Sequence, residues 1–596
     1  MSQSPPRQRV LAALGVAAVT SIALVASTGV APATAQASAK GQAVVAKPHK
    51  KPAKHNVKLQ ILALNDFHGQ LEPSTSSSSG TINGTPAGGA EYLATHLSKL
   101  RTLARSNGRH TVTVAAGDLI GATPLLSAAF HDEPTIMAMN RMGLQITSVG
   151  NHEFDEGWRE LRRMQTGGCL ADGDGKDNQN SCPAGTFPGA NFQYLAANVT
   201  RTATGKTIFP AVKIEKYDGV KVGFIGMTLE NTPNIVTKSG VEGLKFSDEV
   251  ETANRLAKRM NRNGVKSIIV LVHEGGFPSD PTAYNSCPGI SGPILDINKG
   301  LSPRIDAVIS GHTHQAYNCK LKDPDDNRRL VTSGSSLGRL VTNIKMTIDR
   351  KTGDVIRPSE TADNRIVTRD VTPRATITNL IAKFKTLVAP IANKVIGHLA
   401  AGTTTVSRTN DDSGESPLGN LIADAQKADA STVTGGKVPE IAFMNPGGIR
   451  ADLASTGGAV NYGQAFSVQP FNNYDVSMSM TGAQILTLLN QQWSGTNAGA
   501  PKILQVSGIT YSYAKAGTAY TLDPASVQVN GAPIESARSY RVVANSFLSD
   551  GGDGFAAFTG AGDKYFGGLD IDAFSAYLAA HDPYTPVATD RITVTP

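Results

Sequence analysis

Five times between residues 57 and 314 the chain runs through an unbroken apolar, β-branched stretch and then turns polar around a glycine. The stretches are VKLQILALNDFHG (57–69), HTVTVAAGDLIG (110–121), ITSVGNHEFD (146–155), KSIIVLVHEGG (266–276) and IDAVISGHTH (305–314). Each predicts a buried strand that ends in a polar loop. Between them, GGAEYLATHLSKLRTLARS (88–106) and SDEVETANRLAKRMNRNG (247–264) carry apolar residues three and four apart and predict helices. Strands alternating with helices predict a layered α/β domain, in which ligands gather beyond the carboxyl ends of the strands. All five polar clusters fall there.

The texture changes after VTPRATITNLIAKFKTLVAPIANKVIG (371–397), which predicts a connecting helix over 374–395 followed by a proline break. The segments GNLIADAQKADA, EIAFMNPGGIRADL, AQILTLLNQQW, GITYSYA and SYRVVANSFLSDGGDGF then predict a second, smaller α/β domain over 396–596. The first domain is read as 57–373. PSTSSSSGTINGTPAGG (73–89) is low-complexity and predicts a surface loop. ADGDGKDNQNSC (171–182) has an acidic rhythm, but Lys176 stands where a calcium loop needs an oxygen ligand and Pro183 where it needs glutamate.

A chain of 596 residues exceeds one hydrophobic core, which agrees with two domains. With 40% hydrophobic and 18% charged residues it is globular for most of its length. The net charge of +7 does not point to a nucleic-acid polymer, because much of the excess sits in KGQAVVAKPHKKPAKH (40–55). That segment, within 36–56, reads as a flexible basic tail, either solvated or weakly associated with acidic envelope polymers or membrane surfaces. Ahead of it, Arg7 and Arg9, an apolar run from Val10 to Ala26 and the small residues to Ala35 have the order of a secretory signal peptide over 1–35. An uncleaved anchor is the alternative, since the run is nearly long enough to span. Cleavage would leave a secreted or envelope-associated protein without a membrane span. Export makes Cys169, Cys182, Cys287 and Cys319 disulfide candidates. Near-neighbour pairing would staple two insertions, although four cysteines allow three connectivities; no C-x-x-C spacing favours a metal site.

The strand ends collect Asp66, His68, Asp118, Asn151, His273, His312 and His314. Oxygen donors mixed with imidazoles suit Zn, Mn, Co or Fe, and seven exceed what one tetrahedral ion uses. Two divalent ions sharing a bridging carboxylate would occupy them all.

Asp66-x-His68, Gly-Asp118, Gly-Asn151-His152-Glu153, His273 and Gly311-His312-x-His314 resemble, in their order and their place at strand ends, the calcineurin-like binuclear metallophosphatases. ESPLGNLIADA, NPGGIR and SDGGDGF in the second half resemble the C-terminal domain of the secreted 5'-nucleotidase family. The resemblance covers roughly residues 57 to 590. It implies an α/β/β/α domain, a helical linker and a substrate-binding domain. It also implies one metal on Asp66, His68 and His314, a second on Asn151, His273 and His312, and Asp118 as bridge. The family often has an amide where this chain has His314, so metal preference could differ; Zn, Mn or Co are expected. In-line attack of metal-activated water on a nucleoside 5'-phosphate follows, giving nucleoside and phosphate. His152 is implied at the reacting phosphate with Asp155 orienting it, and Glu153 reads as a loop-fixing residue.

For the substrate, the resemblance implies that Phe471 and Phe547 sandwich the base and that Asp553 accepts the ribose hydroxyls. Asn445, Gly447, Gly448 and Arg450 match a loop for phosphate and base edge, with Arg408 as a second phosphate contact. Metals and base pocket on different domains require the two to close for catalysis. UDP-sugars or 2',3'-cyclic nucleotides are alternative substrates for the same machinery. Thiosulfohydrolase chemistry on this architecture is disfavoured by Phe471 and Phe547. A non-catalytic surface nucleotide-binding protein is the remaining alternative, against which every ligand position is retained.

Overall fold

The computed structural model describes residues 55–595 apart from 75–78, 172–178 and 184. The signal peptide and nearly all of the basic tail expected from the sequence lie outside the described residues. So does part of each of the two loops at 73–89 and 171–182.

Two six-stranded sheets face each other in the first half. In the first, Val57–Leu64 pairs parallel with His110–Ala116 and antiparallel with Leu340–Ile348, so that Ile61 stands between Val112 and Ile344. Ile146–Ser148 and Gln193–Leu195 continue the parallel run. In the second, Ser267–His273 lies parallel between Val220–Thr228 and Ala307–Ser310. Alternate residues explain why these strands read as continuous apolar runs. Leu59, Ile61 and Ala63 pack against Ile269, Leu271 and Ile309 between the sheets. Leu62 and Leu64, on the opposite face, join Leu93, Leu97 and Leu100 of the helix Ala90–Ser106. Likewise Ile268, Val270 and Val272 turn outward to Leu256 and Met260 of the helix Glu249–Arg262, whose N-terminus is capped by Asp248 accepting from the Glu251 amide. The layers are therefore helix, sheet, sheet, helix, and every site strand ends at the carboxyl edge.

The helix Ala375–Ala392 buries Ile377, Leu380, Ile381, Phe384 and Val388, a helical apolar stripe. It runs through Pro390 for two more residues instead of breaking there, which the last turn tolerates because few hydrogen bonds remain to be lost. It is more than a connector. Its apolar face shares one continuous core with Leu125, Phe130 and Ile136 of the first half and Leu418, Ile422, Phe466 and Phe574 of the second. Phe384 meets Phe130 with ring centroids 5.1 Å apart.

The second half holds a five-stranded sheet ordered Gln505–Ser507, Ile441–Met444, Ser539–Asn545, Tyr474–Thr481, Gly562–Leu569, and a smaller four-stranded sheet. Helices Pro417–Ala428 and Gly482–Gln491 flank it, capped by Ser416 and by a reciprocal Thr481–Gln484 box. Of the three connectivities open to the cysteines, the structure has Cys169–Cys182 and Cys287–Cys319. Among the described residues, no helix is long and apolar enough to cross a membrane.

Phe384→Ala would open a cavity in the core that both halves share. It should cost about 3–5 kcal/mol in chemical denaturation, against less than about 0.5 kcal/mol for the exposed neighbour Lys383→Ala. Equal, small losses from both would show that this core does not anchor the helix.

Candidate active site

Each of the five strand ends delivers part of one cluster. Asp66 and His68 follow Val57–Leu64, Asp118 follows His110–Ala116, Asn151 and His152 follow Ile146–Ser148, His273 ends its strand, and His312 and His314 follow Ala307–Ser310. Five of these residues hold left-handed backbone: φ is 47° at Asp66, 47° at His68, 49° at Asp118, 71° at His312 and 56° at His314. Such angles are uncommon outside glycine and concentrate where surrounding structure enforces them. The glycines beside them allow the loops to touch. A Cβ on Gly150 would lie 2.1 Å from Asp118 Oδ1, one on Gly117 2.6 Å from His273 Nδ1, and one on Gly311 2.9 Å from Asp66 Oδ2.

Two donor groups result, each with its ligand atoms within 4.8 Å of one another: Asp66, His68 and His314, and Asp118, His273 and His312. His68 Nε2 is 3.0 Å from His314 Nε2, which is 3.5 Å from Asp66 Oδ1. Asn151 Oδ1 joins the second group, 3.1 Å from His273 Nε2 and 3.0 Å from His312 Nδ1. Asp118 Oδ2 reaches both, 2.9 Å from His273 Nε2 and 3.7 Å from His68 Nε2.

Protonation supports a cation reading of the cluster. His68 Nδ1 sits 2.9 Å from the Gly121 carbonyl and His273 Nδ1 2.8 Å from that of Ala116, so each ring donates there and turns Nε2 inward. Burial pushes His68 and His312 down to about 3 and His314 well below the usual imidazole range, which keeps their ring lone pairs available. Burial also raises Asp66 to about 7. Against burial, the Asp118 carboxylate holds His273 up at about 10, and His273 in turn holds Asp118 low. Two imidazole nitrogens 3.0 Å apart beside a carboxylate, and Asp118 Oδ2 2.9 Å from His273 Nε2, are the pattern of a site whose natural occupant is positive. The donor set fits two divalent cations.

The turn at 150–155 divides its side chains among separate tasks. The His152 amide donates to Asp118 Oδ1 at 3.0 Å, while its ring stands edge-on to His68 with centroids 5.2 Å apart and places Nδ1 2.8 Å from Asp155 Oδ2. Its other face lies 5.8 Å from Phe471, nearly parallel to that ring. Glu153 is buried and accepts three backbone amides, from Asp118 at 2.9 Å, Leu119 at 2.8 Å and Gly150 at 2.5 Å.

A cavity of about 210 Å³ continues from Asn151, His152, Asp155 and His312 to Asn445, Gly447, Gly448, Arg450, Phe471, Phe547 and Asp553 of the second half. Arg450 lies over Phe471 at 5.8 Å. Phe547 packs so closely on Gly552 that a Cβ there would meet its ring at 2.5 Å. Asp553 accepts from Asn445 at 2.9 Å and from Lys502 at 2.5 Å. Arg408 is the exception among the sequence candidates. Its amide is held by Asp452 and its guanidinium donates to the Ile449 carbonyl, and it borders a neighbouring cavity of about 630 Å³ together with His68, His314 and Arg450. The structure adds Lys502, Asn473 and residues 235–237 to the pocket wall. Lys502 and residues 235–237 stand in no motif and only the fold brings them there, whereas Asn473 lies two residues from Phe471.

Residues 59–316 match the family model of calcineurin-like phosphoesterases, and residues 395–560 match that of the 5'-nucleotidase C-terminal domain. The chain is 34% identical over 535 residues to the cell wall protein Lmo0130 of Listeria monocytogenes, covering 85% of this chain and 65% of that protein. It is 30% identical over 507 residues to endonuclease YhcR of Bacillus subtilis, covering 84% of this chain and 37% of the relative. The chain thus spans less than two thirds of the length of either. A 5'-nucleotidase precursor from Thermus thermophilus superposes with a TM-score of 0.71 at 25% identity, over 90% of this chain and 99% of that one.

Glu153→Ala would leave three buried amides without acceptors. It should cost roughly 3 kcal/mol or more in denaturation and lower the divalent metal retained after dialysis, measured by elemental analysis. Wild-type stability with full metal content would show that Glu153 does not hold the two loops.

Proposed function

Because this chain belongs to the 5'-nucleotidase family and is a metal-dependent phosphoester hydrolase, we propose that it removes the 5'-phosphate of nucleotides to give nucleoside and phosphate. The observation that carries the reading is the single cavity in which His152, His312 and Asn151 meet Phe471, Phe547 and Asp553. A phosphate at the donor cluster and a base between the two phenyl rings would be covalently connected across a space of that size.

Asp66, His68 and His314 would hold one cation and Asn151, His273 and His312 the other, with Asp118 shared. Bound there, the cations would supply the Lewis acidity that activates water and draws charge from the phosphoryl oxygens. The remaining work belongs to side chains. Although burial opposes it, Asp155 and Asp118 keep the His152 imidazole more basic than usual, so Nε2 carries a proton toward the leaving 5'-oxygen while Asp155 fixes the ring. Arg450 neutralises phosphate charge, and Arg408 serves a second phosphate from the adjoining cavity. Phe471 and Phe547 stack on the base, which tolerates any base because each has a π face. Asp553 accepts the ribose hydroxyls, held ready by Asn445 and Lys502. Asn445 and the backbone at Gly447 and Gly448 meet the base edge.

We read residues 57–373 as the metal-binding domain, 374–395 as the helical link and 396–596 as the substrate domain. A secreted or envelope location is supported by the two disulfides and by a relative named a cell wall protein. The 630 Å³ cavity beside His68 and His314 favours a second reading, in which a larger nucleotide such as a UDP-sugar enters the same centre.

Phosphate release from AMP, ADP, ATP, UDP-glucose, cyclic nucleotides and an aryl phosphate should be strongest on a nucleotide and abolished by chelator. Turnover that survives chelation, or none on any nucleotide, would sink the proposal. His152→Ala should lower kcat by about 10² to 10⁴-fold at unchanged metal content, and loss of metal with it would mean that His152 is a ligand.

A further inference from the structure

The loop 469–475 carries Phe471 and Asn473 into the pocket, and both of its ends are anchored in an oddly acidic interior. Gln469 and Asp475 are fully buried. Beside them lie Asp570, which opens the helix Asp570–Ala580, and Gln426 of the helix Pro417–Ala428, both about 1% exposed. Both carboxylate oxygens of Asp475, Oδ1 of Asp570, Oε1 of Gln469 and Oε1 of Gln426 are buried without a hydrogen-bond partner of normal geometry. The polar neighbours that do reach the cluster approach loosely. Gln469 Nε2 is 3.5 Å from Asp570 Oδ2, the Gln426 amide donates toward Asp475, and Asn473 and the Ile571 amide donate toward Asp570. The charged side chains acting on Asp475 are Asp570 and Asp429, both acidic. Burial raises Asp475 well above the carboxylate range and Asp570 to about 8, so the pair cannot stand there as two free anions.

Two resolutions exist: the acids take up protons, or a cation sits among the oxygens. Five buried oxygens without a partner of normal geometry outnumber the amide donors of Gln426, Gln469 and Asn473 that approach the two acids, and that excess of acceptors favours the cation. With no nitrogen or sulfur in the set, the ion must be hard, and two carboxylates balance a divalent charge. Magnesium demands near-octahedral geometry and keeps several waters, which a cluster this buried does not offer. Calcium accepts carboxylate and amide oxygens at irregular angles. We propose that Asp475, Asp570, Gln469 and Gln426 form a buried calcium site, separate from the dimetal centre, that ties down both ends of the loop presenting Phe471.

The test uses the full chain with its dimetal centre loaded with Mn²⁺. After dialysis against calcium-free buffer, elemental analysis should find one Ca²⁺ per chain, and EGTA treatment followed by removal of the chelator and reloading with Mn²⁺ should lower Tm by at least about 3 °C, reversibly on adding Ca²⁺. Asp475→Asn and Asp570→Asn should each lose the Ca²⁺ and the Tm response while keeping Mn²⁺. Calcium-free protein with no Tm response overturns the inference. So does calcium that survives both substitutions, or Asp475→Asn protein as stable as wild type, the result expected of protonated acids. Should a variant fail to fold, the EGTA and Ca²⁺ titration of the unaltered chain decides. Given the nucleotidase reading, calcium removal should raise KM for AMP several-fold more than it lowers kcat, and an unchanged KM would refute the tie to Phe471. If no nucleotide is turned over, calcium content and Tm still judge the site by themselves.

Discussion

One buried carboxylate sets the geometry on which the centre depends. Glu153 accepts amides from Asp118, Leu119 and Gly150, and so binds the loop after one strand to the turn after the next. Asp118 is thereby aimed between two imidazole groups, and the His152 amide locks its other oxygen. A buried carboxylate with three donors is fully employed in joining the two loops. The sheets supply position to within a loop's reach; Glu153 supplies the last ångström.

The sequence was most informative where local pattern and global packing coincide. Strands buried on both faces must be apolar throughout, so VKLQILAL and SIIVLVH announce themselves, and the polar residues after them mark the carboxyl edge. Glycines beside Asp118, Asn151 and His312 were readable as motif punctuation, and the structure gives their reason in contacts that leave no room for a Cβ. Less was legible where contacts span hundreds of residues. Lys502 meets Asp553 from a segment without a motif, Arg408 turns to a neighbouring cavity, and the helix 375–392 reads as a link because periodicity reports one apolar face and not what covers it. The acidic interior around Asp475 was equally silent, since its oxygens come from three separate segments.

The 210 Å³ cavity takes its wall from both halves of the molecule. The first half brings the nitrogen and oxygen donors and residues 235–237 to it; the second brings two phenyl rings and Gly447 and Gly448. His152 and Phe471, 5.8 Å apart, mark the seam. A pocket built at a seam lets one surface vary while the other stays fixed.

The left-handed backbone at Asp66, His68, Asp118, His312 and His314 narrows how this centre can change over evolutionary time. Asp, Asn and His tolerate that conformation better than most residues with a side chain, and glycine best of all. Glutamate would match aspartate in charge yet pay in backbone strain, and a β-branched residue would fit worse still. Mutational drift is therefore channelled: ligand exchange runs among Asp, Asn and His, while outright loss runs most easily through glycine. The fold has restricted the alphabet of its own active site before chemistry makes any further selection.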